Sequence, residues 1–158
     1  MSWQALEDAS PRIAARGREL IMRSGPGRGM LASVTATGLP RIHPVSVMIL
    51  DGRLLVFSID ASPRTRAFLE DGRYAFHAHL DLAHPDELLL RGHAIAVTDA
   101  TLRERALAAW PFDASEGYTL FELSIEHALL GERETTDDWP PRYTTWRAPT
   151  LAPATTSR

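Results

Sequence analysis

The stretch Ser62-Pro63-Arg64-Thr65-Arg66 carries the clearest chemical signal in the chain. Ser62 followed by Pro63 has the form of an N-cap with proline at the first helical position, so a helix is expected to start here. A helix N-terminus presents unpaired N–H groups and the positive end of the macrodipole, which suits an anion. Arg64 and Arg66 add guanidinium groups to that first turn, where Asp or Glu would serve helix stability better. A local conflict of this kind is what a phosphate site looks like. The plainer alternative is a solvated surface helix in a chain whose 17 basic residues are all arginine. His77 and His79 stand two apart on an expected strand, so both rings share a face, and His84 follows in the next loop. Such a set can ligate a metal, but a polar strand face or a subunit contact is the commoner cause of the pattern, and no metal site is assigned. His43, beside Pro44, is placed to face a ligand, while His93 and His127 carry no pattern.

Other chemistries are excluded by what is missing. No cysteine means no thiolate nucleophile, disulfide or zinc–thiolate site, and no lysine means no Schiff base and no P-loop lysine. There is no G-x-S-x-G elbow and no convincingly spaced carboxylate pair; the acids of Asp51-Gly52 and Asp71-Gly72 belong to turns. Gly25-Pro26-Gly27-Arg28-Gly29 resembles a phosphate loop, but it follows a helix and precedes a strand, the reverse of the dinucleotide order, and reads as a helix stop. An anion site without a catalytic dyad fits a protein whose chemistry is carried by a bound phosphorylated cofactor.

Several elements must position these residues. Ser10-Pro11 opens a helix carrying Ile13, Leu20 and Ile21 at helical spacing, stopped at Ser24-Gly25-Pro26-Gly27. Met30 to Thr35, Arg41 to Leu50 and Arg53 to Ile59 read as three strands, the last two joined by a tight turn at Asp51-Gly52. Pro44 cannot donate to a ladder, so its part of the second strand is expected at an edge or a bulge. The Ser62 helix runs to about Glu70. Tyr74 to Leu80 and Glu87 to Thr98 are further strands, the second bulged or bent at Gly92. Thr101 and Glu104 have capping-box spacing for a helix ending near Trp110. Tyr118 to about Glu134 contains a sixth strand, in which Glu126 to Leu130 reads equally as turn or coil. These hairpin-linked strands with a few helices predict a mainly β (α+β) fold, an antiparallel sheet rolled into a small barrel with helices at its ends.

The 158 residues suit one domain, expected over 1–149 with a flexible tail over 150–158. A formal net charge of -3 gives no electrostatic footprint for nucleic acid. The first residues have neither a basic n-region nor an apolar h-region, so no signal peptide is expected. No apolar run approaches membrane-spanning length. A cytoplasmic location without membrane partners is the resulting expectation.

Taken together and in order, Met30 to Thr35, Gly38 to Val45, Asp51-Gly52-Arg53-Leu54, Phe57-Ser58, Ser62 to Arg66 and Arg91-Gly92-His93-Ala94 resemble the pyridoxamine 5'-phosphate oxidase-like flavoproteins. The likeness runs from roughly Gly29 to Asp99 and loosely beyond. It implies a six-stranded split β-barrel that forms a homodimer and binds flavin mononucleotide (FMN), or a deazaflavin or haem, in clefts between subunits. By the same resemblance Arg41, Ile42, His43, Pro44, Val45 and Ser46 lie along the isoalloxazine and ribityl chain. Phe57 and Ser58 end the next strand beside the cofactor, and Ser62 and Arg64 hold its phosphate. Arg64 stands where family members commonly have lysine; it keeps the charge and adds a bidentate fork. The Arg and His pair with which the true oxidase holds its vitamin substrate has no counterpart beyond Trp146-Arg147. The expectation is therefore an FMN-dependent oxidoreductase acting on a small molecule, with no catalytic acid or base assigned. The alternatives are an F420-dependent reductase, or a non-catalytic flavin- or haem-binding protein with His43, His77 or His79 as axial ligand.

Overall fold

The computed structural model describes residues 1–23, 25–81, 83 and 85–149. Seven strands, β1 (Gly27–Val34), β2 (Pro40–Leu50), β3 (Arg53–Ile59), β4 (Arg73–Ala78), β5 (Glu87–Ala96), β6 (Tyr118–Glu132) and β7 (Arg142–Arg147), form one antiparallel sheet in the order β3-β2-β1-β4-β5-β6-β7. Pairing of β3 with β6 from Leu55↔Glu122 to Ile59↔Tyr118 closes strands β1 to β6 into a barrel. The barrel is split because β2 meets β3 only at Met48, Ile49 and Leu50. The rest of β2 has β1 on one side and, among the described residues, no strand on the other, and Pro44 lies in this open stretch, as its missing N–H requires. Asp51 and Gly52 turn β2 into β3 with φ of 51° and 67°, the paired left-handed geometry of a two-residue hairpin.

Helices α1 (Trp3–Ala9), α2 (Pro11–Met22), α3 (Pro63–Glu70) and α4 (Ala100–Ala109) surround the barrel. The main core gathers Trp3 and Leu6 of α1, Ile13, Leu20 and Ile21 of α2, Phe68 of α3 and inward residues such as Phe76, Leu90 and Phe121. A second cluster lies under α4, where Leu55, Phe57 and Leu120 meet Leu102, Ala106 and Trp110. Phe68 anchors α3 edge-on against Phe121 at 5.1 Å, and its burial contributes roughly 1.5–3 kcal/mol. That anchor fixes where the first turn of α3 points.

Several expectations need correction. Helix α1 was not anticipated; Ser2 caps it by accepting from Ala5 N at 3.2 Å, and only Trp3 and Leu6 bury. Strand β1 begins at Gly27 rather than Met30, because the glycines there are demanded by close approach. A Cβ on Gly29 would stand 2.4 Å from the His77 carbonyl oxygen and from the Phe76 ring. The cap of α4 is Asp99, whose carboxylate accepts from Leu102 N at 3.1 Å, two residues before the expected Thr101. An acidic cap also complements the macrodipole, which threonine does not. Strand β6 continues through Glu126 to Leu130, held by β5 and then β7. The bulge at Gly92 is present, with the register shifting between Arg91 and Gly92. Strand β4 stops at Ala78, so His79 lies beyond it and the shared strand face with His77 is lost. Ser24, His84 and the expected tail over 150–158 lie outside the described residues. Among the described residues no helix is long and apolar enough to cross a membrane.

Candidate functional site

The chain passes from the end of β3 into α3 through a small hydrogen-bonded knot. Ser62 accepts from Thr65 N at 3.1 Å, as an N-cap should. The Thr65 hydroxyl lies 2.7 Å from both the Ile59 carbonyl oxygen and Ser58 Oγ, which ties the first turn of the helix to the last turn of the strand. Arg64 donates from Nε to Ser58 Oγ at 3.0 Å and reaches toward the Phe57 carbonyl at 3.4 Å. Its guanidinium is therefore held in place by neutral acceptors. Among the described residues no carboxylate lies within ion-pair distance of it, and burial pushes its pKa below the ordinary arginine value. A partly desolvated cation at a helix N-terminus is expensive unless an anion accompanies it. The local chemistry suits a phosphate or carboxylate.

Two further groups converge from β2. His43 is held below its ordinary value first by burial, then by Arg64 and Arg41, so all three occupy one electrostatic neighbourhood. Its Nε2 is buried and has no hydrogen-bond partner, an orphaned polar atom of the kind a ligand commonly satisfies. Between the first turn of α3 and the β1–β2 turn lies an open concavity of about 290 Å³, lined by Thr35, Thr37, Arg41, Pro63, Arg66 and Glu70 among others.

The ten residues expected at the site fall into separate groups. Arg41, His43, Ser62 and Arg64 come together around α3. Val45 alternates with them on the same face of β2 but is buried in the barrel core. Ile42, Pro44 and Ser46 point to the other face; Ile42 and Pro44 are exposed. Ser46 lines a different cleft, a largely apolar one of about 200 Å³ with Met22, Met48, Trp110 and Pro111. Ser58 is fully buried and braces Arg64. Phe57 supplies its carbonyl, while its ring packs edge-on against Trp110 at 5.0 Å. Thr65, the residue that locks the knot, was not singled out from the sequence. Its position three residues after the Ser62 cap was the available signal.

His77 is otherwise engaged. His77 Nδ1 lies 2.7 Å from the Ala78 carbonyl oxygen and Nε2 is 3.5 Å from Glu87. Among the described residues no group of three or more histidines or acids is arranged to hold a metal ion. Trp146 of β7 packs on the core, and its neighbour Arg147 is exposed.

No family model and no curated protein matches the sequence. Solved structures do match in shape. A NimC/NimA family protein from Clostridium acetobutylicum superposes with a TM-score of 0.68 at 14% identity, covering 90% of this chain and 98% of that one. A candidate pyridoxamine 5'-phosphate oxidase from Listeria innocua gives 0.60 at 17% identity, over 72% and 94%. A haem-binding protein from Mycobacterium smegmatis gives 0.63 at 18% identity, over 81% of this chain and 55% of that protein's length. The fold is that of the pyridoxamine 5'-phosphate oxidase-like split barrels.

Proposed function

We propose that the chain binds a phosphorylated flavin, FMN, with the phosphate on the first turn of α3, and acts as an FMN-dependent oxidoreductase on a small molecule. The observation that carries this reading is Arg64: a partly buried guanidinium, fixed by Ser58 and the Phe57 carbonyl, at a helix N-terminus with no carboxylate partner among the described residues. Ser62 completes the cradle from the cap position, and Arg41 and Arg66 add positive charge along the concavity. When bound, FMN supplies the two-electron chemistry that these side chains lack. The chain's own part is to bind and orient. Ser58 and the Phe57 carbonyl hold the Arg64 guanidinium in place, so little side-chain entropy is lost on binding. His43, neutral because of burial and its two arginine neighbours, offers Nε2 as an uncharged hydrogen-bonding group beside the anion.

A second copy of the chain belongs to this reading. The open stretch of β2 leaves one edge unpaired, and Ile42 (66% exposed) and Met30 (43%) on the adjoining surface are large apolar side chains facing water. A homodimer covers both and encloses the β2 side of the cleft.

The orphaned Nε2 of neutral His43 also has the form of an axial haem ligand, which keeps a haem-binding function as the competing reading. The absorption spectrum of protein incubated with FMN and desalted separates the two. Retained flavin bands support the proposal. A Soret band on the purified protein with no uptake of FMN overturns it in favour of haem, and a deazaflavin band overturns it in favour of F420.

A further inference from the structure

His127 is a buried imidazole outside the site just described. It lies directly across β6 from Arg91 of β5 and from Arg147 of β7. Directly opposed residues share a face of an antiparallel sheet, so the three side chains form a row on one surface. Arg91 approaches His127 Nδ1 to 3.1 Å. An arginine can only donate, so Nδ1 accepts, and the imidazole proton resides on Nε2. The row thus presents two guanidinium groups and one neutral N–H, all donors.

Among the described residues neither Arg91 nor Arg147 has a carboxylate within ion-pair distance. The adjacent acid, Glu126, is engaged by His93 Nδ1 at 2.6 Å. Burial, Arg91 and Arg147 together hold His127 below its ordinary value, with no acidic group opposing them. The same row continues through Ala75 of β4 and Ala32 of β1, and the next row runs from Thr145 through Leu129 and Leu89 to His77, whose Nε2 is 3.5 Å from Glu87. A cluster of donors therefore borders a partly exposed apolar strip. Ile42 lies at the far end of this row, three strand spacings or about 14 Å from Arg91.

We infer that Arg91, His127 and Arg147 form an oxyanion-binding site, independent of the α3 site, that takes a small carboxylate or phosphate monoester whose apolar part rests on Ala75, Leu89 and Leu129. The two guanidinium groups supply charge-assisted donors, and the Nε2 proton supplies a third. A bound anion offsets the two cations, so His127 becomes easier to protonate, and anion binding tightens as pH falls.

Histidine ring NMR tests this on the intact protein, with the His127 signal assigned from His127→Gln. Sulfate, which does not titrate near neutrality, stands in for a phosphate monoester, and benzoate for a carboxylate with an apolar body. Either anion is expected to shift the His127 signal saturably and raise its pH midpoint. Tighter sulfate identifies the phosphate class and tighter benzoate the carboxylate class. Arg91→Gln and Arg147→Gln, both exposed positions, should each weaken the response about fivefold, the factor for a lost surface contact near 1 kcal/mol. Arg64→Gln should leave it unchanged while suppressing any response of His43. No saturable shift with either anion, or shifts that survive both row substitutions, would overturn the inference.

Discussion

Ser58→Ala removes a hydroxyl that meets no solvent, yet its effect should reach the ligand. Ser58 Oγ accepts from Arg64 Nε at 3.0 Å and lies 2.7 Å from the Thr65 hydroxyl. Thr65 keeps the Ile59 carbonyl at 2.7 Å after the substitution, so it loses little. Arg64 keeps only the 3.4 Å approach to the Phe57 carbonyl. The lost bond joins a charged donor to a buried acceptor, a class worth about 1.5–3 kcal/mol. Because Arg64 can swing toward water, the lower half of that range is expected. For a chain of this size the loss lowers Tm by roughly 3–8 °C. The freed guanidinium must then be reordered by the ligand, which weakens FMN roughly five- to tenfold. Thr65→Val supplies the contrast, because it loosens the same knot without removing the Arg64 contact. It should lower Tm and leave FMN affinity within about twofold. Thermal melts with flavin fluorescence titrations read both quantities. Equal losses of FMN affinity in the two variants, or a melting temperature for Ser58→Ala matching the parent, would refute the bracing role.

Three other expectations follow from the same structure. Sedimentation velocity at micromolar concentration should give twice the chain mass, and a clean monomer would remove the second copy from the proposed cleft. Gly29→Ala places a Cβ 2.4 Å from the His77 carbonyl oxygen and the Phe76 ring, an overpacking that should destabilise by about 3 kcal/mol; an unchanged melting temperature would contradict the packing. His127 is held below its ordinary 6.5 by burial, Arg91 and Arg147, so the unfolded chain takes the proton more readily. Its contribution is complete above that pH and declines as pH falls toward the lowered folded value. His127→Gln should flatten the fall in urea stability as pH drops below about 6.5, whereas an unchanged slope would show that other groups govern it.

The parts legible in the sequence are those fixed by neighbours along the chain. Asp51-Gly52 encodes a hairpin because both residues tolerate positive φ, and both adopt it. Ser62-Pro63 encodes a helix start because cap and proline act within one turn, and Arg64 is in that turn. What escaped depends on contacts distant in sequence or on weak patterning. Strand β7 exposes most of its residues and lies among prolines and threonines, so no apolar alternation announces it. The glycines of β1 look like a helix stop until Phe76 and His77 of β4 are seen against them. At the candidate site, Arg41 and His43 reach Arg64 only through the barrel's closure. His127 carried no pattern because one partner is 36 residues away and the other is on an unforeseen strand.

The central claim is that Arg64 holds a phosphate, and paired titration of two flavins tests it most directly. FMN and riboflavin differ only in the phosphate. Arg64→Ala removes charge-assisted hydrogen bonds worth roughly 1.5–3 kcal/mol each, so FMN affinity should fall about ten- to a hundredfold per bond. Riboflavin should bind the parent and the variant alike. The cofactor-free variant should still fold, with a Tm loss no larger than that of Ser58→Ala, because the lost Ser58 contact is partly offset by removing a cation that opposes the macrodipole. Titrations followed by flavin fluorescence, with melting temperatures recorded alongside, give both answers. Equal loss for the two flavins, or no loss for either, would contradict the phosphate site.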